Sequence, residues 1–453
     1  MKSTFSKRVS LNCSAEEAYR YHARPGALMR MLPPWKPVEV VSNEGIETGA
    51  VVRFKLRTGP LVQTWNALHT AAPDATTFVD VQTEGPFKSW EHTHAITTAP
   101  GGAQLEDRIE YELPGGPLGR LFGGAWVRRE LERTFAYRHR VLVDDLDRTN
   151  TDSRRETMRI LMTGSTGLVG TATSALLSTA GHEVVPLVRR AARGSEVGWD
   201  PAANRLDPAD LEGFDAVVHL AGESISKRWS DAQKRKIRES RVAGTKLLSE
   251  ALAATDNGPR VLLSASAIGF YGDRGSEVLD ESSSHGAGFL AGVCQEWEAA
   301  TARARDAGMR VVTLRTGVVL SPLGGALAKM LTPFKLGAGG KVGSGEQYMS
   351  WITLDDVAGS IAHALETESL SGPVNLVAPA PVTNAEFTRT LGKVLKRPTL
   401  FPMPAFAARL AFGEMADELL LGGANVRPKA FEDAGYAFRY PDLEGGLRHV
   451  LGR

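Results

Sequence analysis

Along this 453-residue chain the spacing of apolar positions changes character once, near residue 158. From 4 to 11 apolar and polar residues alternate, the period of a half-buried strand. Ser14, followed three residues later by Glu17, is a capping box that opens a helix. Extended segments follow over 38–42, 50–57, 63–70, 77–83, 90–97 and 104–113. Gly and Pro punctuate them, which predicts an antiparallel meander. The segment 118–147 then reads as one long helix, with Leu121, Phe122, Trp126, Leu131, Phe135, Val141 and Val143 on one face. A curved sheet closed over one long helix is an α+β helix-grip domain, placed at 1–148. The stretch 149–157 is polar, charged and without period, and reads as a linker.

From 159 onward short apolar runs alternate with helical periodicity. Strands are predicted over 159–162, 183–188, 215–220, 260–266 and 310–315. Helices are predicted over 168–180, 230–254 and within 286–307. This order predicts an α/β domain of Rossmann type, a doubly wound parallel sheet, at 158–400, with a small lobe at 401–453. Between the first strand and its helix lies Gly164-Ser165-Thr166-Gly167-Leu168-Val169-Gly170. Gly164 permits the sharp turn out of the strand, Gly167 lets a pyrophosphate approach the backbone, and Gly170 lets helix and strand pack closely. The amides of the first helical turn face the phosphate. All seven residues are therefore candidate cofactor ligands. The second strand ends in Arg189 and Arg190, where an NAD-selective site carries an acidic residue. An arginine, here Arg189, suits the 2′-phosphate of NADP(H), the expected cofactor.

Bulk properties narrow the classes. The length calls for more than one core. The net charge of +1 gives no bias toward nucleic acid or an anionic membrane. Lys234, Arg235 and Lys236 form a basic run without aromatic residues between them and read as a solvated face. Only Cys13 and Cys294 are present, so there is no disulfide framework. The first residues are polar, and no apolar run suffices to span a bilayer. A cytoplasmic location is expected. No His/Cys/Asp cluster shows metal-ligand spacing along the sequence, so no metal site is expected.

Two resemblances can now be stated. The helix-grip half resembles the SRPBCC superfamily of START and polyketide-cyclase-like domains. This implies a cavity between sheet and helix and an apolar ligand there, with a filled core as the alternative. The second half resembles the extended short-chain dehydrogenase/reductases. It carries in order the segment 163–170, His219-Leu220-Ala221-Gly222, Arg241 to Thr245, Ser264 to Gly272, Leu314-Arg315-Thr316-Gly317 and Ser350 to Asp356. The run from Arg228 to Arg241 and the tail from Pro402 to Leu447 are similar to the atypical "epimerase family protein" branch, which ends in its own C-terminal domain of unknown function. Since Met158 resembles a natural start, a fusion of two modules is expected. The resemblance adds Leu220, Ala221, Gly222, Ser264, Ala265 and Arg315 to the cofactor set. It places Arg241, where the family has Asn, beside cofactor phosphates or an anionic substrate.

The wider family uses a Ser or Thr, a Tyr as acid/base, and a Lys four residues later. Registering the helix on Glu298 puts Leu290 at the Tyr position and Cys294 at the Lys position, and Ala267 falls at the Ser/Thr position. Substitute catalytic groups are Ser266, Tyr271 and Cys294, with Glu281 nearby. His219 reads as structural. Trp351 and Asp355 match a motif that positions a loop over the cofactor, although Asp355 equally suits a helix cap. Two function classes stand. One is an NADP(H)-dependent oxidoreductase or epimerase acting on a small molecule. The other is a non-catalytic NADP(H)-dependent binding or sensor protein. The oligomeric state is not specified by the sequence.

Overall fold

The computed structural model describes residues 2–58, 61–150 and 156–453. The chain divides into two compact units, one reaching to Thr157 and the other beginning at Met158.

The first unit is a seven-stranded antiparallel sheet and three helices. Its elements are β1 (Ser3–Leu11), α1 (Ala15–Ala23), α2 (Ala27–Met31), β2 (Val38–Asn43), β3 (Val51–Thr58), β4 (Leu61–Thr70), β5 (Thr77–Glu84), β6 (Ser89–Ala99), β7 (Gly102–Glu112) and α3 (Gly116–Asn150). The strand order is β1-β7-β6-β5-β4-β3-β2, the expected meander with the first strand brought beside the last. Ser14 caps α1 by accepting the Glu17 amide at 3.1 Å. Inside, Arg30 of α2 forks onto Asp145 of α3 through two 2.8 Å hydrogen bonds, and Tyr21 donates to the same carboxylate. Both charges are removed from water but fully paired, the condition under which a buried ion pair is tolerated.

Three expectations for this unit need correction. The helix runs on to Asn150, and Leu146 is still buried within it, so its end overlaps the expected linker. Residues 151–155 of that linker lie outside the described residues. The inward stripe of α3 is Val127, Leu131, Phe135, Leu142 and Leu146, whereas Leu121, Phe122 and Trp126 are exposed. The first turns of α3 therefore present apolar residues outward. The interior gripped by α3 is also not uniformly apolar. Along β7 the inward positions read Leu105, Asp107, Ile109. The two leucine-rich and phenylalanine-rich clusters thus flank a polar centre that includes His92, His94 and His139. An apolar ligand held there would meet ionisable side chains.

The second unit is the predicted doubly wound sheet. Its first elements are β8 (Arg159–Thr163), α4 (Leu168–Thr179), β9 (Glu183–Val188), β10 (Val197–Gly198), β11 (Ala216–His219), α5 (Asp231–Ala253), β12 (Val261–Ala267) and α6 (Phe289–Ala299). Strands Arg310–Thr316 and Gly372–Leu376 complete an all-parallel sheet in the order β10-β9-β8-β11-β12-(310–316)-(372–376). Its strands are nearly continuous apolar runs, as sheets covered on both faces require. The order reverses between β8 and β11, so the crevice at their carboxyl ends is where such sheets bind ligands. Residues beyond 400 form short helices, including Ala405–Phe412 and Leu443–Leu451. They are tied to the core by Asp355, which meets His449 at 2.7 Å. They are also tied by Asp356, whose carboxylate accepts the amides of Arg439 and Tyr440. Thr353 caps the helix Leu354–Glu366. The cap is thus Thr353 and not Asp355, and Trp351 is fully buried with its indole donating to the Ala380 carbonyl. Among the described residues no helix is long and apolar enough to cross a membrane.

Candidate functional site

The glycine loop has the geometry its sequence predicts. Gly164 has φ +69°, a conformation that side chains rarely adopt, and a Cβ there would lie 2.9 Å from the Leu220 carbonyl carbon. A Cβ on Gly170 would fall 2.1 Å from the Gly164 oxygen. Gly167, by contrast, is exposed, and only the Gly164 oxygen would come within 4 Å of its Cβ. The loop is thus tight toward the sheet and open toward the crevice, with the first turn of α4 behind it. These residues fit a dinucleotide pyrophosphate.

A buried relay braces this loop against the next strand. Thr163 Oγ1 accepts the Leu220 and Ala221 amides at 3.0 and 3.1 Å and donates its own proton to His219 Nδ1 at 2.8 Å. His219 Nε2 then donates to Thr245 Oγ1 at 2.9 Å, which also accepts from the Trp297 indole. Burial pushes the His219 ring down to about 4, so it stays neutral. His219 is structural, as expected.

At the same end of the sheet the two arginines after β9 behave differently. Arg190 forks onto Glu196 at 2.5 and 2.6 Å. Arg189 is exposed and has no hydrogen bond or ion pair among the described residues.

Two of the residues expected to touch the cofactor, Arg241 and Arg315, make hydrogen bonds within the protein. Arg241 donates to the carbonyls of Glu223 and Ile237, each at 3.0 Å, and lies over the Trp297 ring. Its guanidinium props the segment after β11 against α5. Arg315 chelates Glu298, with Nε to Oε1 at 2.8 Å and Nη2 to Oε2 at 2.9 Å, and rests 3.5 Å above the Phe270 ring. Ser264 is 1% exposed, and its hydroxyl has no hydrogen-bond partner among the described residues. The half-buried Ala265 follows it.

The expected catalytic groups fare similarly. Leu290 and Cys294 do lie together: a Cβ on Gly269 would sit 3.3 Å from Leu290 Cβ and 3.8 Å from Cys294 Sγ. Both therefore face the turn that follows β12. Cys294 is 3% exposed, and burial pushes its thiol up to about 12, which disfavours the thiolate form. Tyr271 is fully buried. Its hydroxyl donates to Asn375 Oδ1 at 2.8 Å and accepts from Arg315 Nη1 at 3.0 Å; burial raises its pKa. It closes a packing network and does not present an acid to the crevice. Ser266 donates to Glu298 Oε1 at 2.6 Å.

Sequence reasoning used Glu298 only for register and so missed the hub joining Ser266, Arg315 and Tyr271. The available signal was Arg315 inside an apolar strand, since a buried cation requires a counter-charge. Glu281 accepts the Asn375 and Ala430 amides at 2.9 and 3.2 Å, and so binds the loop to the C-terminal lobe. From that lobe, Glu418 accepts the Phe289 and Leu290 amides at 2.7 and 2.9 Å at the start of α6.

One group of side chains has the composition of a metal site. Asp80, His92 and His94 of the first unit bring three ligand atoms within 4.8 Å of one another. Strand geometry explains the omission. His92 and His94 are two apart on β6 and share a face, and Asp80 lies opposite His92 on β5, a juxtaposition that linear spacing does not display.

Comparison with known proteins agrees with this architecture. The model of the NAD dependent epimerase/dehydratase family matches residues 160–376. A domain of unknown function matches 403–450, and polyketide cyclase / dehydrase and lipid transport matches 2–142. An epimerase family protein of Mycobacterium bovis is 47% identical over 296 residues, 65% of this chain and 98% of that protein. The human epimerase family protein SDR39U1 is 37% identical over 298 residues, 65% of this chain and 100% of that one. Among solved structures, a nucleoside-diphosphate sugar epimerase from Corynebacterium glutamicum aligns with TM-score 0.81 at 36% identity, over 99% of this chain and 90% of its own. Human SDR39U1 solved with NADPH aligns with TM-score 0.60 at 35% identity, over 65% of this chain and 99% of its own. The chain belongs to the epimerase family proteins of the NAD-dependent epimerase/dehydratase family, with a polyketide cyclase/dehydrase domain joined ahead of the Rossmann unit.

Proposed function

We propose that the second unit binds NADP(H) in the crevice between β8 and β11 and acts as an oxidoreductase or epimerase on a small molecule. The observation that carries the NADP(H) assignment is Arg189, whose permanently charged fork is left uncommitted beside the open glycine loop while Arg190 is neutralised by Glu196. The relative solved with NADPH supports it. The cofactor supplies hydride donation and acceptance. The loop 164–170 holds its pyrophosphate, and the Thr163–His219–Thr245 relay fixes the position of Leu220 and Ala221. A hydrogen bond between Arg189 and the 2′-phosphate is charge-assisted and contributes about 1.5–3 kcal/mol. Arg189→Ala should therefore weaken NADPH about 10- to 100-fold and leave NADH nearly unchanged, read by fluorescence titration. Equal wild-type affinities for the two nucleotides would refute the assignment.

A second reading is favoured by a specific observation. Leu290 carries no titratable group, and Tyr271 is sealed from the crevice. A non-catalytic NADP(H)-dependent sensor needs neither group. Challenging the NADPH-loaded protein with a panel of aldehydes, ketones and sugar nucleotides separates the two. Stoichiometric NADPH oxidation or substrate epimerisation supports the enzyme; ligand-induced thermal shifts without conversion across the panel support the sensor.

A further inference from the structure

The helix-grip unit holds a second group of chemistry-bearing side chains, independent of the nucleotide crevice. Asp80, His92 and His94 converge on the inward face of β5 and β6. Asp80 Oδ2 lies 3.4 Å from His92 Nδ1 and 3.5 Å from His94 Nε2. Both spacings exceed the usual range for nitrogen–oxygen hydrogen bonds. They are close to the roughly 3.3 Å edge of a tetrahedron whose donors stand about 2.0–2.1 Å from a central ion.

The opposite ring nitrogens are turned toward a second carboxylate. His92 Nε2 donates to Asp107 Oδ1 at 3.0 Å, and His94 Nδ1 lies 2.8 Å from the same oxygen. Asp107 Oδ2 meets His139 Nε2 at 2.6 Å. A carboxylate behind each imidazole is the arrangement that fixes the tautomer of a metal-binding histidine and leaves its other nitrogen free to ligate. His94 is the telling member. It is 4% exposed; its Nδ1 is paired with Asp107 Oδ1 at 2.8 Å, whereas its Nε2 stands 3.5 Å from Asp80 Oδ2, beyond the usual hydrogen-bond range. A buried nitrogen held that far from its acceptor is unfavourable unless something else satisfies it.

From this geometry we infer that Asp80 Oδ2, His92 Nδ1 and His94 Nε2 form a binding site for a divalent ion of the zinc class, with Asp107 orienting the two imidazoles from behind. Two imidazoles and one carboxylate suit a borderline transition ion better than Mg²⁺ or Ca²⁺, which take oxygen. Three protein ligands leave a coordination position open, the mark of sites that engage water or a ligand oxygen. The Asp80 side chain retains 15% exposure, against 5% for each histidine, which gives an ion a way in.

The test uses the full chain, stripped with a chelator and dialysed. Zn²⁺ is titrated by calorimetry and in competition with a chromogenic chelator, and Co²⁺ by its visible absorption. One equivalent of Zn²⁺ per chain is expected, with a higher melting temperature on loading and a tetrahedral Co²⁺ spectrum. Asp80→Asn and His94→Gln should each abolish the stoichiometric site. Asp107→Asn should weaken it about 10- to 100-fold. Circular dichroism checks the fold of each variant. If His94→Gln does not fold, the isosteric Asp80→Asn decides. Absence of stoichiometric uptake by the wild type overturns the inference and leaves a proton-sharing His–Asp cluster. Undiminished uptake in folded Asp80→Asn overturns it equally.

Discussion

Removing Glu298 should destabilise the second unit by about 3 kcal/mol. In Glu298→Ala the Arg315 guanidinium, 5% exposed and pressed against Phe270, loses both hydrogen bonds of its fork, and Ser266 loses its acceptor. Breaking one side of a buried pair typically costs about 3–5 kcal/mol, because the other charge stays behind unpaired. The lower end applies here, since the Glu298 side chain is 14% exposed and water can reach the vacated space. Replacing both partners together, as Glu298→Leu with Arg315→Met, removes the stranded charge. It should recover at least about 2 kcal/mol relative to the sum of the single changes. The chain has two units, so a global midpoint would mix two transitions. Hydrogen exchange by mass spectrometry, followed in peptides from β12 and from Arg310–Thr316, reads the opening energy where the pair sits. Effects below about 1 kcal/mol for both single variants, or strict additivity in the double, would show that the fork is not what holds these strands together.

Other expectations are as direct. Cys294→Ala should leave NADPH affinity within about twofold, because a buried neutral thiol offers the ribose no charge-assisted contact; a large loss in a folded variant would give the thiol a cofactor role. Gly170→Ala places a methyl against the Gly164 carbonyl and should lower stability by about 1–3 kcal/mol together with NADPH binding. Gly292→Ala, in mid-helix with open space around it, should instead stabilise by about 0.5–1 kcal/mol; urea melts that rank the two alike would contradict the packing described. For pH, His219 falls to about 4 in the folded state, so between about 6.5 and 4 the unfolded chain binds the proton first. Stability from this ring is intact above about pH 6.5 and declines by up to about 3 kcal/mol as pH falls to about 4. Proton uptake on unfolding, measured against His219→Gln, checks the sign.

The backbone was more legible in the sequence than the side-chain roles. Glycines at 164, 167 and 170 mark a turn whose chemistry is local, and the parallel sheet follows from strand–helix alternation. Roles such as those of Arg241, Arg315 and Tyr271 depend on partners 18, 17 and 104 residues away, Glu223, Glu298 and Asn375. A family position indicates where such a residue stands but not which neighbour takes its hydrogen bonds. The inward stripe of α3 was misjudged for a related reason. An apolar residue at helical spacing faces the sheet only where the sheet extends beneath it, and Leu121, Phe122 and Trp126 remain exposed. The Asp80, His92 and His94 cluster was hidden because strand pairing, not sequence spacing, assembles it.

The carboxylate of Glu418 at the start of α6 has a wider consequence. Aligned peptide dipoles give a helix N-terminus roughly half a positive charge, a pole that can attract an anionic group. In this chain the pole is neutralised internally by the C-terminal lobe, at Phe289 and at Leu290, the residue in the vacant tyrosine position. Any anionic part of a substrate must find its counter-charge elsewhere in the cleft. The lobe also sets the placement of Leu290 through that residue's own amide. The stretch around 418 and the helix of the missing Tyr–Lys pair are therefore one mechanical part, and exchanging the lobe for that of another protein would re-aim the helix along with it.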